Sequence, residues 1–406
     1  MSVRERIRST RVTSATPGEE VEMSAIDPGT PAWLAARNDR TAFRLLLEHG
    51  PLTRSRLGAL SGLSKPTATQ MLQRLERVGL IHPVGEVSGG RGPNAVSYGV
   101  RVDRITGVAI SVLAHSIQAV VVDALGGEHP VAEIVPPGAR SPEGDVQAAI
   151  EAACAAAGAD PACVSRVVIG VQAAFFGEED ELSLTDTLPG WPAVGSEARI
   201  TRELGIDVTL GNDVNLAAMA ERAAGVAQDA SSFALFWIGD GLGVGIDLGG
   251  AVHRGASGGA GEIGYLPVPK TAAAFAPEAN DFTDLLGGPA VVQLLGGAPS
   301  EPLASALERL DGDPALLEAL AERIAMAAHP VLALLDPAML VLGGPSGSAG
   351  GDALAELVAE RIDRAAHPKL VVRSSGTGPQ PVLLGARQQL VQQIRDRLEA
   401  DILPLA

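Results

Sequence analysis

The chain contains the sequence Gly-Asn-Asp-Val-Asn at residues 211–215, between a β-like run at 206–210 and an Ala-rich helical pattern at 216–224. In α/β proteins, ligands bind where strands end and helices begin. A second polar cluster, Gly-Glu-Ile-Gly-Tyr, occupies residues 261–265. The carboxylates and carboxamides of both clusters offer acceptors and donors to a hydroxyl-rich ligand. Because Asn and Asp also cap helices well, a purely structural capping role is the alternative interpretation.

Length and composition indicate an α/β protein of two or three domains. The chain has 406 residues, 46% of them hydrophobic, and no apolar run approaches the roughly 20 residues of a membrane span. No secretion signal is visible, and Cys154 and Cys163 are too few for a disulfide framework or a zinc cluster. We therefore expect a cytoplasmic protein with no cofactor and no bound metal.

The negative charge of the chain is unevenly distributed. The formal net charge is −17, yet residues 34–104 contain eleven Lys and Arg against five Asp and Glu, a net of +6. The rest of the chain, with 20 basic and 43 acidic residues, has a net charge of −23. A basic module joined to an acidic body is typical of a DNA-binding domain with a separate sensor domain.

Three helical patterns occupy the start of the basic region. The first runs from Asn38 to a stop at residues 49–51, and the second, short one covers residues 53–60. A turn at residues 61–63 has the length and the glycine of a helix-turn-helix. The third helix begins at Ser64 and ends at Gly79. Its polar face is suited to phosphates and base edges and presents Lys65, Thr67, Thr69, Gln70, Gln73 and Arg74.

Two β-like runs, residues 80–87 and 95–100, follow the third helix. The segment between them is rich in glycine and contains Arg91, which could enter a narrow minor groove. We interpret residues 34–103 as a winged helix-turn-helix. The alternative is a small three-helix packing module with a loose hairpin. Residues 1–33 have no hydrophobic period and are predicted to form a flexible arm.

The body repeats one order of elements. A three-stranded meander followed by a helix and a strand begins near Ile105, and a similar order begins near Phe233. This repetition predicts two related lobes with a cleft between them. We assign residues 104–210 with 387–406 to the smaller lobe and 211–386 to the larger lobe. The last predicted helix covers residues 383–400 and must pack its leucines against the rest of the chain.

Several short motifs, in order along the chain, resemble the ROK family of repressors, open reading frames and sugar kinases. They are Leu-Pro-Gly-Trp at 188–191, the two clusters above, a Gly-rich run at 239–245, Asp-Pro at 336–337 with Leu-Gly-Gly at 342–344, and Pro-Val-Leu-Leu-Gly-Ala at 381–386. The resemblance covers roughly residues 38–400 and implies an actin-like ATPase fold. The fused winged helix is similar to that of the family's N-acetylglucosamine and xylose repressors.

The sequence departs from the family's kinases at the phosphate loops. The first loop, Asp-x-Gly-Gly-Thr in the kinases, is replaced here by Ala109, Ser111, Val112 and Leu113. Asp240 replaces the threonine of the second loop and would repel phosphate if it faced the cleft. Since phosphoryl transfer depends on positioning and charge stabilisation, we expect no kinase activity. The family's cysteine-rich zinc motif is also absent, and Tyr265 stands at the position of its histidine.

The sugar site is partly retained. By resemblance, Asn212, Asp213 and Glu262 would bond sugar hydroxyls, with Asp213 matching the catalytic base of the kinases; we add Tyr265 to this effector site. The family's Gly-x-Pro-Gly loop reads Gln-Ala-Ala-Phe at residues 172–175, followed by Phe176. These two phenylalanines could stack on a sugar or fill its pocket.

The sequence thus predicts a transcriptional regulator, expected to be a repressor, that binds double-stranded DNA as a homodimer or homotetramer. Its sugar-kinase-like body would sense a sugar or sugar derivative without phosphorylating it, and no membrane is involved. One alternative is a ligand-independent regulator that uses the body only to oligomerise. The other is an active sugar kinase with an added DNA-binding domain.

Overall fold

The computed structural model describes residues 29–87, 95–136, 140–175, 182–183, 188, 190–310 and 313–402. The chain divides into two compact units. The first contains the residues up to Arg104 together with those from Ile394 onward, and the second contains Ile105–Gln393. The fold is of the mixed α/β class that the sequence predicted.

The first unit is a winged helix-turn-helix. Its elements are α1 (Pro31–His49), β1 (Leu52–Thr53), α2 (Arg54–Ser61), α3 (Lys65–Arg77), β2 (Ile81–Val87) and β3 (Ala95–Val100). The strands form an antiparallel sheet in the order β1-β3-β2. The predicted third helix and both wing strands are confirmed, with end points shifted by no more than two residues.

Local sequence determines where these helices begin and end. The side-chain oxygens of Thr30, Thr53 and Ser64 each accept a hydrogen bond from the backbone N–H three residues later, which caps α1, α2 and α3. Gly62 ends α2 in the left-handed conformation, with φ of 68°, where a side chain would be strained. The turn to α3 is therefore short and fixed.

An apolar core holds the three helices together. Its fully buried side chains include Phe43 and Leu46 from α1, Leu57 from α2, and Met71, Leu72 and Leu75 from α3. Because this face of α3 is buried, its polar face is turned away from the core.

The second unit begins with a five-stranded sheet. Its elements in order are β4 (Thr106–Val112), β5 (Ile117–Val122), β6 (Ala132–Ile134), α4 (Pro142–Ala157), β7 (Val164–Val171), β8 (Ala174–Phe175), β9 (Leu182–Ser183), α5 (Ser196–Leu204), β10 (Asp207–Asn212) and α6 (Asp213–Ala224). The strand order is β10-β7-β4-β5-β6, parallel at β10-β7-β4 and antiparallel at β4-β5-β6. The short strands β8 and β9 pair separately.

A second five-stranded sheet follows. Its elements are β11 (Ser232–Ile238), β12 (Leu242–Leu248), β13 (Ala251–Val252), α7 (Phe282–Leu286), α8 (Gly288–Leu294), α9 (Leu303–Leu307), α10 (Pro314–Leu335), β14 (Met339–Gly343), α11 (Gly344–Arg361), β15 (Val371–Ser374) and α12 (Pro381–Ala400). The strand order is β13-β12-β11-β14-β15. Taken from the β15 edge, this order matches that of the first sheet: the pairs β15-β14 and β14-β11 are parallel, and the pairs β11-β12 and β12-β13 are antiparallel. The predicted repetition of one topology in the body is confirmed.

Two predicted boundaries differ from the structure. Helix α1 begins at Pro31, so residues 31–33 belong to the winged helix and not to the arm; residues 1–28 lie outside the described part of the chain. At the other end, residues from Ile394 group with the first unit and not with the smaller lobe. Two ion pairs within the first unit explain this, because Glu399 accepts two 2.9 Å bonds from Arg44 and Asp401 pairs with Arg104 at 2.8 Å.

No helix in the described ranges is both long enough and apolar enough to cross a bilayer.

Candidate functional site

The junction between β10 and α6 forms one wall of a small cavity in the second unit. Asn212 is the N-cap of α6, and its Oδ1 accepts a 2.9 Å hydrogen bond from the Asn215 backbone. Its Nδ2 donates to the Ala173 carbonyl at 3.0 Å, which ties the cap to the segment after β7. The capping role considered from sequence is therefore real, and it fixes the position of the adjacent Asp213.

Asp213 is a buried carboxyl at the first position of α6. One of its oxygens accepts a 2.9 Å hydrogen bond from the Val214 backbone. Burial raises the pKa of Asp213 from its ordinary 3.8 to about 7, and the nearby Glu262 carboxylate adds to the rise, whereas the backbone hydrogen bond opposes it. Burial also raises the pKa of Glu262. Near neutral pH this site can therefore either donate or accept a proton.

All four residues predicted for effector binding line one cavity of about 180 Å³: Asn212, Asp213, Glu262 and Tyr265. They come from segments fifty residues apart in sequence, roughly as the two-cluster pattern suggested. Tyr265 is 55% exposed and so lies at the rim. Their assignment to a sugar stays a prediction, although the structure places them together.

Gly261 positions Glu262 in this cavity. Its φ is +91°, and a Cβ atom there would overlap the carbonyl oxygen of Val244. The Gly261 carbonyl also accepts a 2.9 Å hydrogen bond from the Val244 backbone, which fastens the loop to β12. The positive φ and the overlap that a Cβ would make with Val244 each require glycine at this position.

A larger cavity of about 590 Å³ adjoins the first. Gln172, Asp213, Trp237 and Asp240 line both cavities. Asp240 thus lines both cavities, and a negative charge at this position would repel a phosphate. Ser111, Val112 and Leu113, which replace the first phosphate loop, also line the larger cavity, whereas Ala109 is fully buried in β4.

The turn after β4 is fastened by Arg140. The Arg140 guanidinium donates to the carbonyls of Leu113 and Ala114, both at 3.2 Å, and to the Asp145 carboxylate at 2.9 Å. Trp191, from the Leu-Pro-Gly-Trp motif, donates to the same carboxylate at 2.9 Å. The motif that supported the family resemblance thus has a structural role at this turn.

Sequence reasoning did not identify several lining residues. Trp237 lies where both cavities meet, Thr283 lines the smaller one, and Gln118, Ser348 and Ser374 line the larger one. These residues are isolated in sequence, and only the packing of the two sheets brings them together. The described residues contain no group of three or more His, Cys, Asp or Glu suited to a metal ion, and the expectation of no metal stays a prediction.

The predicted DNA-contacting face is only partly free. Lys65, Gln70 and Gln73 are exposed, and Thr67 and Thr69 are half-buried. The Thr67 hydroxyl lies 2.9 Å from that of Ser64, and the Thr69 hydroxyl donates to the Lys65 carbonyl at 3.0 Å. Both threonines therefore have contacts within the helix and still border the exposed face.

Arg74 has a contact within the protein that the sequence did not predict. Its guanidinium donates two hydrogen bonds of 2.6 and 2.7 Å to the carboxylate of Asp39, which is fully buried in α1. Burial raises the pKa of Asp39, and the Arg74 charge opposes that rise. The pair joins α3 to α1, and the assignment of Arg74 to DNA stays a prediction.

Three other predicted contacts are not described. Arg91 and Phe176 lie outside the described residues, as does the side chain of Phe175. Their assignments stay predictions.

Comparison with known proteins shows what this architecture is similar to. The sequence model of the ROK family matches residues 108–393. The chain is 21% identical over 234 residues to the xylose repressor of Bacillus subtilis, which is 57% of this chain and 60% of the repressor. It is 31% identical over 153 residues to the beta-glucoside kinase of Listeria monocytogenes, covering 35% of this chain and 51% of the kinase.

The solved structure of a ROK family transcriptional regulator, a homologue of the E. coli MLC protein, superposes with a TM-score of 0.66 at 20% identity. It covers 91% of this chain and 99% of the regulator, so the likeness of fold includes both units. The chain spans only about 60% of the length of the xylose repressor it matches.

Proposed function

Because the chain belongs to the ROK family, we propose that it is a DNA-binding transcriptional regulator whose body binds a sugar or sugar derivative without phosphorylating it. Two observations together support this proposal: a winged helix-turn-helix with an exposed polar face on α3, and a ROK body in which Ser111, Val112 and Leu113 replace the first phosphate loop and Asp240 replaces the threonine of the second. Repression is the expected sign of regulation.

The winged helix would contact DNA through α3 and the wing. Lys65 would neutralise a phosphate, and four other polar side chains on this face of α3 would reach base edges in the major groove. These are Thr67, Thr69, Gln70 and Gln73. Arg91 is proposed for the minor groove. Arg74 is proposed for the major groove as well, and it also holds α3 against α1 through Asp39.

The body would sense the effector. In a homodimer or homotetramer, two winged helices must match half-sites about one helical turn apart or a multiple of it. A ligand that binds one conformation of the body better than another shifts the population towards it. A change of a few ångströms in the separation of the winged helices would then change DNA affinity.

Two features of the cleft oppose phosphoryl transfer. No Lys or Arg is among the described residues that line either cavity, and Asp240 contributes a negative charge to both. Phosphoryl transfer needs positioned donors and positive charge around the transferring group. Asp213 retains the position of a base and has a raised pKa, but Ser111, Val112 and Leu113 stand where the first phosphate loop would be.

Fluorescence anisotropy with the protein's own promoter fragment tests the DNA-binding function. The full-length protein should bind this fragment more tightly than random DNA, and Lys65→Ala should reduce the salt slope by about 1, the value of one phosphate contact. Lys369→Ala, an exposed lysine of the body, is the matched control and should leave the slope unchanged. An unchanged slope for Lys65→Ala would remove that residue from the interface.

The active kinase is a second candidate because the Listeria beta-glucoside kinase is a relative and Asp213 is retained. A coupled ADP-release assay with common hexoses decides between them. We expect no release above that of Asp213→Asn. Release that depends on both a sugar and Asp213 would refute the regulator without kinase activity.

The ligand-independent regulator is supported by one observation. Both polar atoms of the Asn212 side chain already have partners within the protein. This candidate predicts that promoter affinity does not respond to any of a series of sugars, amino sugars and sugar phosphates, whereas a sensor predicts a response to at least one.

A further inference from the structure

The two cavities of the second unit are adjacent. They share four lining residues, Gln172, Asp213, Trp237 and Asp240. The smaller cavity, about 180 Å³, is below the roughly 300–1,000 Å³ typical of ligand pockets, whereas the larger, about 590 Å³, falls within that range. A ligand that fills only the smaller cavity would use the minor part of the available space.

The charge of this space excludes anionic occupants. No Lys, Arg or His is among the described residues lining the larger cavity, and its charged side chains are Asp213 and Asp240. A phosphate or carboxylate would be repelled by Asp240, and by Asp213 whenever it is ionised. An uncharged ligand meets no such penalty.

The remaining lining chemistry suits sugar rings. Hydroxyl and amide side chains can bond to ligand hydroxyls, and they include Ser111, Gln118, Ser348 and Gln380. The Trp237 ring and the Pro345 and Pro381 rings provide apolar surface against which the face of a sugar ring can pack.

One wall of the larger cavity is held in place by a buried carboxylate. Glu221, fully buried in α6, accepts hydrogen bonds from Ser375, from the Gly376 backbone and from Thr377. The loop that contains Ser375 is therefore fixed before a ligand arrives. Preorganisation of this kind lowers the cost of binding.

We propose that the effector is an uncharged glycoside of at least two sugar units, with one ring beside Asp213 and Glu262 and the next beyond Trp237 in the larger cavity. This rests on the proposed sensor function and names the class of ligand it takes. The cavity that a kinase would use for phosphates would instead accept the second sugar.

Titration calorimetry on the full-length protein tests this with matched pairs of probes: glucose and cellobiose, xylose and xylobiose, N-acetylglucosamine and diacetylchitobiose, with AMPPNP as the nucleotide probe. We expect at least one disaccharide to bind tenfold or more tightly than its monosaccharide, and AMPPNP not to bind. Ser348→Trp, which fills the larger cavity, should remove the disaccharide's advantage and leave the monosaccharide affinity unchanged. Ala349→Trp is the control, because Ala349 is exposed and lines neither cavity.

Ser374→Phe fills the same cavity from β15 and provides a second test if Ser348→Trp fails to fold. The proposal is overturned if disaccharides bind no more tightly than monosaccharides, if the filling variants leave their affinity unchanged, or if AMPPNP binds in their place. It is also overturned if none of the six sugars binds. Specific promoter binding, measured separately, then shows whether the proposed function as a DNA-binding regulator still holds.

Discussion

Substitution of Asp213 by Asn should change how the stability of the protein depends on pH. The pKa of Asp213 rises from 3.8 to about 7 on folding, chiefly because the carboxyl is buried. At 1.36 kcal/mol per pKa unit, keeping this group ionised in the folded state costs about 4 kcal/mol. Between these two pKa values the folded state binds more protons than the unfolded state, so stability is full at low pH and is lost as the pH rises towards 7.

Asn at this position keeps an oxygen to accept the Val214 hydrogen bond but cannot ionise. The free energy of unfolding of Asp213→Asn, relative to the wild type, should therefore increase by about 2 kcal/mol between pH 5.5 and pH 8. Calorimetric unfolding of both full-length proteins at the two pH values measures this difference. The lower pH remains above the isoelectric point of about 4.8, which limits precipitation.

The comparison between the two proteins cancels the pH dependence of every other group that the substitution does not affect. The neighbouring carboxyl of Glu262 is the exception, and Glu262→Gln serves as the control background. In that background the pH-dependent difference should decrease but persist, because burial is the larger cause. If the free energies of unfolding of Asp213→Asn and the wild type differ by the same amount at pH 5.5 and pH 8, the raised pKa of Asp213 is refuted.

Three further substitutions test the contacts that support the sites. Arg74→Ala leaves the buried Asp39 carboxylate unpaired and should destabilise the winged helix by about 3 kcal/mol in urea unfolding; if stability is unchanged and DNA affinity alone falls, Arg74 is a direct contact. Glu221→Ala removes the acceptor of hydrogen bonds from Ser375, Gly376 and Thr377 and should lower the free energy of unfolding by about 3 kcal/mol. Amide exchange should become faster in the 375–377 loop, and an increase confined to another region would contradict this. Gly261→Ala should lower the melting temperature, and effector affinity measured by calorimetry should fall with it; wild-type values for both would show that the loop tolerates a Cβ.

The wing and most of the body strands were predictable because short-range signals set them. The β2 and β3 strands have β-rich composition on each side of a Gly-rich segment, and α10 has caps and an apolar pattern sustained over 22 residues. The order of elements repeats along the body, and the two similar sheets were predicted from this repetition. These features depend on neighbouring residues, which a sequence shows directly.

Elements that depend on tertiary packing were missed. The first turns of α11 contain Gly-Pro-Ser-Gly-Ser-Ala-Gly, a poor helix sequence, yet they are helical, and the interruption appears only at Gly351 with φ of 54°. The polar helix α5 and the four-residue strand β15 were also not predicted. At the start of α11, packing against the neighbouring sheet outweighs the weak helix preference of the sequence.

The candidate sites likewise contain residues that the sequence could identify and contacts that only the folded structure shows. Asn212, Asp213, Glu262 and Tyr265 were found because family resemblance connected two distant clusters, and the structure places them around one cavity. Arg74 was assigned to DNA because it lies on the polar face of α3. The sequence could not show that a carboxylate 35 residues earlier would be buried beneath it.

The raised pKa of Asp213 does not by itself indicate catalysis. A general base near pKa 7 is useful only if the group that accepts the activated oxygen is held within reach. Here the larger cavity beside Asp213 is lined by Asp240 and by the side chains that replaced the first phosphate loop, and no Lys or Arg is among its described lining residues, so an incoming phosphate meets negative charge without a compensating cation. The same burial that raises the pKa also allows a neutral Asp213 to donate a hydrogen bond to a ligand oxygen. An uncharged sugar benefits from that donor, whereas a phosphate meets the negative charge of Asp240, and the chemistry of the cleft therefore supports the proposed recognition of a sugar.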